Sequence, residues 1–158
     1  MQRTLLFMGV AGIFSLAQAQ TAYVDVPSCH WAVTAINIVS SGDKVTPAQN
    51  TSNAQNAVRQ VFEGIQCGDP AWSKNFIAQA PSSLDALIKG KPLRSYTLTF
   101  GSTSIAGTTA RVAANLSLTL ASGVERRQAV FILSSDPKTA WRVNYASLAA
   151  LNLAVFPK

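Results

Sequence analysis

The sequence predicts an α+β fold, with N-terminal helices packed on a curved antiparallel sheet of about four strands. Its two halves have different periods. Apolar residues in the first half recur at three-and-four spacing between helix caps. In the second half they alternate strictly with polar ones. With 48% hydrophobic and 13% charged residues, the chain is suited to a packed core and not to disorder.

The chain opens with an export signal. Arg3 and the amino terminus are positive, Thr4 to Leu16 is apolar, and Ala17-Gln18-Ala19 is an A-x-A cleavage site. The apolar run is shorter than the roughly 20 residues a membrane-spanning helix needs. Position 20 is Gln where a lipoprotein would need Cys. The expected product is secreted and either soluble or peripherally attached, in the periplasm or at the cell envelope or cell surface. Residues 1–19 form the signal, 20–50 a helical segment and 51–158 an α+β domain that forms one compact unit with it.

Ser28 caps a first helix through Trp31, Ala35 and Ile38 or Val39, and Gly42 stops it. The polar stretch Asp43 to Asn50 reads as a loop. Thr51, Ser52 or Asn53 then caps the clearest helix. Ala54, Ala57, Val58, Val61, Phe62 and Ile65 form its apolar stripe, and Gln55, Asn56, Arg59, Gln60 and Glu63 face away. Gly68 ends it, Asp69-Pro70 starts a helix burying Trp72, Phe76 and Ile77, and Pro81-Ser82-Ser83 starts a short one that Gly90 stops.

Strands follow. Tyr96, Leu98 and Phe100 alternate with Ser95, Thr97 and Thr99, and Ala110 to Leu120 alternates with Thr109 to Thr119. Ser122-Gly123 is a turn and Gln128 to Leu133 a nearly continuous apolar strand. Ser135-Asp136-Pro137 is another turn, and Trp141, Val143 and Tyr145 close an antiparallel meander. The apolar tail from Leu148 to Phe156 packs back on the domain or adds a fifth strand.

Cys29 and Cys67 are the only cysteines. In an oxidising compartment an even pair is expected as one disulfide, which in the chain-entropy model stabilises by about 4 kcal/mol. One histidine and no C-x-x-C spacing argue against a metal site, and no cofactor is expected. The net charge of +6 suits an anionic neighbour, such as wall polymer or lipid headgroups. Lys89, Lys91 and Arg94, with Arg126 and Arg127, are the candidate anion patch. Arg111 and Arg142 are expected on the sheet face opposite the apolar residues. The aromatics lie on apolar faces instead of among these cations, which argues against nucleic acid.

Tyr23-Val24-Asp25-Val26-Pro27, His30-Trp31-Ala32 and Ala35-Ile36 resemble the opening of an S-layer homology module. That resemblance implies non-covalent binding to a secondary wall polymer or peptidoglycan, with Asp25, His30 and Trp31 as candidate polymer or packing residues. Asn56-Ala57-Val58-Arg59-Gln60 departs from the family's Thr-Arg-Ala-Glu signature, so its polymer-gripping arginine does not carry over to Arg59. Residues 51–146 resemble the ketosteroid isomerase-like or cystatin-like family. The likeness rests on Gly68-Asp69 ending a helix, Gly107-Thr108-Thr109-Ala110-Arg111-Val112, and the closing Trp141-Arg142-Val143.

Isomerases of that family need a carboxylate base and an opposed proton donor inside the cone of helices and sheet. Here Glu125 and Asp136 are expected in turns, Asp69 at a cap and Glu63 on a polar helix face. The expected function is therefore a non-catalytic cell-envelope protein, binding or scaffolding at the cell wall or in a surface-layer assembly. The alternative is a small-ligand binder or enzyme using the helix–sheet cavity.

Overall fold

The computed structural model describes residues 45–135 and 140–158, and the backbone of Tyr23 and Val24. In chain order its elements are β1 (Tyr23–Val24), α1 (Pro47–Cys67), α2 (Pro70–Asn75), β2 (Ile77–Ala78), α3 (Leu84–Lys89) and β3 (Leu93–Ala106). Then come β4 (Thr109–Leu120), β5 (Gly123–Ser134), β6 (Arg142–Asn144) and α4 (Tyr145–Ala149). The helix expected from Ser28 to Gly42 and the turn residues Asp136 and Pro137 lie outside the described residues.

The α+β class is as expected. Strands run in the order β1-β3-β4-β5-β6-β2 in one open sheet. Neighbours from β3 to β6 pair antiparallel. The sheet is nonetheless mixed, because β2 joins β6 in parallel, with Ile77 beside Val143. Ile77, expected inside a helix, is thus a strand residue. The Phe76 carbonyl accepts from the Val143 N–H at 2.7 Å, drawing the chain out of α2 and onto the sheet edge.

The N-cap of α1, Thr46, lies five to seven residues before the expected caps. Thr46 Oγ1 accepts from the Gln49 N–H at 3.2 Å, and Gln49 Oε1 accepts from the Thr46 N–H at 2.9 Å. This capping box, with Pro47 in the first turn, satisfies two donors that a later start would leave bare. At the other end Gly68 adopts φ +70°, and the Asp69 N–H reaches the Gly64 carbonyl at 2.8 Å, closing a left-handed cap. Asp69 in turn caps α2 by accepting from the Trp72 N–H at 3.0 Å.

The apolar stripe of α1 from Ala54 to Ile65 is buried as expected. Gln60 is not on the open face: it is 7% exposed, and its Oε1 accepts from the indole N–H of Trp72 at 2.9 Å. α2 covers that flank because Gly64 lets the Ser73 backbone come close, with Ser73 Oγ donating to the Val61 carbonyl at 3.1 Å.

β3 runs six residues beyond Phe100. A register shift between Phe100 and Thr103 absorbs Gly101 and Ser102 and lets pairing resume as far as Ala106 opposite Thr109. β5 begins at Gly123, five residues before the expected start. It is one-sided rather than continuously apolar, with Phe131 and Leu133 buried and Val124 and Val130 exposed. β6 stops at Asn144, whose side chain accepts from the Ala146 N–H, so Tyr145 opens α4 instead of ending a strand. The tail packs back without forming a strand, burying Leu148, Leu151, Leu153, Val155 and Phe156.

Candidate functional site

Described side chains pack the space between α1 and the sheet. Phe62 projects from the helix into rings of Tyr96, Phe131 and Phe156, with centroids 6.0, 6.0 and 6.1 Å away. Leu98, Leu116 and Leu118 complete the same layer. Glu125 is not in a turn: it is a β5 residue on this inner face, opposite Leu118, and it is ion-paired with Arg127. Tyr145 packs edge-on against Phe156 and donates to the Pro157 carbonyl at 2.8 Å. Burial raises its phenol above the ordinary value of 10.0.

The opposite face of the sheet differs in kind. Directly opposed residues share a face, so the ladders define rows across β3, β4 and β5. They read Ser95–Thr119–Val124, Thr97–Ser117–Arg126 and Thr99–Asn115–Gln128. Beyond them Ala113 opposes Val130, and Arg111 lies between Ser104 and Ile132. None of these described positions is acidic, and none is buried. Gly101 and Ala113 leave a shallow depression of about 370 Å³ between Asn115, Gln128 and Val130. Among the described residues no helix covers this outer face. It is a surface of hydroxyls and amides with two exposed guanidiniums, Arg111 and Arg126.

The candidate anion patch is only partly assembled. Leu93 opposes Leu120, which opposes Gly123, so Lys91 and Arg94 lie at the same end of the sheet as the β4–β5 turn. Lys89, Lys91, Arg94 and Arg126 are exposed. The stem of Lys91 lies along Gly68 at the C-terminal end of α1, where a cation complements the helix dipole. Arg127, however, is on the inner face and already paired with Glu125. Arg142, expected on the open face, donates to the carbonyls of Lys74 and Ile77 at 3.1 and 2.6 Å. It joins β6 to α2 and β2 rather than offering a charge to a ligand.

Asp25, Cys29, His30 and Trp31 lie outside the described residues. Cys67, at the end of α1, is not a free thiol. Among the described residues no three His, Cys, Asp or Glu side chains gather, and no helix is long and apolar enough to cross a membrane. Comparison with family models, curated proteins and solved structures found no match. The resemblances of residues 23–42 and 51–146 therefore stand on the sequence alone.

Proposed function

We propose that this chain is an exported, non-catalytic cell-envelope protein that binds or scaffolds at the cell wall or in a surface-layer assembly. The observation that carries the reading is the polar outer face of β3, β4 and β5, over which no helix lies among the described residues. Rows of hydroxyl and amide side chains can hydrogen-bond a polar polymer, and Arg111 and Arg126 can meet its carboxylates or phosphates. Nothing acidic on the described face would repel them. The competing small-ligand or enzyme reading needs a cavity between helix and sheet, where the described residues place the Phe62, Tyr96, Phe131 and Phe156 rings. The S-layer homology-like segment, with Asp25, His30 and Trp31, would add a second contact to the same wall.

Co-sedimentation of the mature protein with purified wall sacculi, at low and high salt, tests this. Binding is expected. The double substitution Arg111→Glu with Arg126→Glu should weaken it about tenfold, because each exposed contact contributes up to about 1 kcal/mol. No enrichment over a basic control protein of similar charge would overturn the reading.

In the same proposal Cys67 is joined to Cys29, tying the N-terminal segment to the end of α1. Thiol labelling of the unreduced protein should find no reactive cysteine, and labelling at both positions would remove this tie.

A further inference from the structure

β5 has twelve residues, yet only Leu133 and Ser134 pair with β6. From Gly123 to Ile132 its outer edge has no strand beside it among the described residues. Among the described residues, the large hydrophobic side chains that stand out into solvent, Val124 and Val130, both belong to this strand, at 59% and 47% exposure. They share the outer face with Arg126 and Gln128 between them, while Glu125 and Arg127 share the inner face. An open edge is a ready template for another strand, and charges along it ordinarily discourage pairing. Here one register sets the exposed valines against each other and leaves a carboxylate diagonal to each central arginine.

We propose that the free edge of β5 pairs antiparallel with β5 of a second copy of this chain, about a two-fold axis through Arg127. In this register Val124 faces Val130 of the second copy, and Val130 faces its Val124. Arg126 faces Gln128 twice, also on the outer face. On the inner face the two Arg127 side chains meet at the axis. Each then has Glu125 of the other copy as its diagonal neighbour, within reach of a long side chain. The four charges form a balanced quartet, and both exposed valines are covered. Sliding the pairing by two residues in one direction sets Glu125 against Arg127 but puts Arg126 against Arg126 and both valines against polar residues. In the other direction it puts Arg126 against Val130, so of the three only the register centred on Arg127 pairs valine with valine. The pattern Val-x-Arg-x-Gln-x-Val is thus self-complementary about its centre, as a two-fold contact requires. Pairing would also join two outer faces into one wider surface.

Sedimentation equilibrium of the mature full-length chain across concentration tests the proposal. A reversible dimer is expected. Val130→Lys should raise its dissociation constant about tenfold or more, since each substitution acts at both symmetric positions. Arg127→Glu, which would gather four carboxylates at the axis, should do the same. Combining it with Glu125→Arg should restore dimerisation by rebuilding the quartet with signs exchanged. Circular dichroism would establish that the variants are folded. A monomer at every concentration would overturn the proposal. So would a dimer indifferent to Val130→Lys, or a charge exchange that fails to restore binding.

Discussion

Phe62→Ala is expected to destabilise the fold by about 3–5 kcal/mol, the range for removing a buried aromatic ring. Phe62 is 1% exposed and has rings of β3, β5 and the C-terminal tail around it, so the vacated space borders three separate parts of the chain. The sheet cannot collapse inward without breaking its ladders, and the cavity term is retained. Domains of this size have total stabilities of about 5–15 kcal/mol, so a large share would be lost. Phe62→Leu keeps much of the volume and should cost about 1.5 kcal/mol. Urea unfolding of both variants measures this. A loss below about 1 kcal/mol for the alanine variant would mean that α1 does not dock through this ring.

Gly64→Ala carries the second large effect, and its sign runs against helix propensity. In an exposed helix interior the change would stabilise by about 1 kcal/mol. At Gly64 an added Cβ would stand 2.2 Å from Ser73 Oγ, 2.8 Å from its backbone N and 3.1 Å from its Cα. The hydroxyl can rotate; the backbone of α2 cannot move without losing the Asp69 cap and the Gln60–Trp72 bond. Overpacking of this kind costs about 1–3 kcal/mol or more, and it outweighs the propensity gain. A melting temperature well below that of the unaltered protein is expected. Combination with Ser73→Ala should recover only part of the loss, because the backbone contacts remain. An unchanged or raised Tm would show that α2 is not seated against α1 at this glycine.

Much of the fold was legible from local pattern. The stripe from Ala54 to Ile65, the Gly68 and Asp69-Pro70 punctuation and the alternation through β4 each reflect a rule acting over a few residues. Errors came where a distant partner decided the outcome. Gln60 looks solvent-facing by helical phase, but Trp72 covers it. The Gly101-Ser102 interruption looks like a strand end, but β4 continues alongside and the one extra residue is taken up by a bulge. Glu125 and Arg126-Arg127 look like turn residues by composition, but the ladder to β4 extends through them. The start of α1 was a different kind of miss, since Thr46-Pro47-Ala48-Gln49 carries its capping box in plain view.

The candidate site divides in the same way. Alternation told which side chains of β4 leave the core, so the polar character of the outer face was readable. The rows Thr97–Ser117–Arg126 and Thr99–Asn115–Gln128 were not readable, because strand register depends on turn geometry and bulges rather than on any one strand. Arg142 shows the limit most clearly. Its place in the alternation predicts an exposed charge, whereas the carbonyls of Lys74 and Ile77 capture it.

By itself the sequence determined the α+β class, the helix boundaries at Gly68, Asp69 and Gly90, and which face of each main strand is apolar. These follow from steric preferences and hydrophobic periodicity that act within one element. Only the tertiary structure decided the parallel entry of β2, the filling of the helix–sheet space by Phe62, the fate of Arg142 and the open edge of β5. Each of those depends on which distant backbone groups find one another, and a hydrogen bond or a packed ring has no signature in the spacing of its own neighbours.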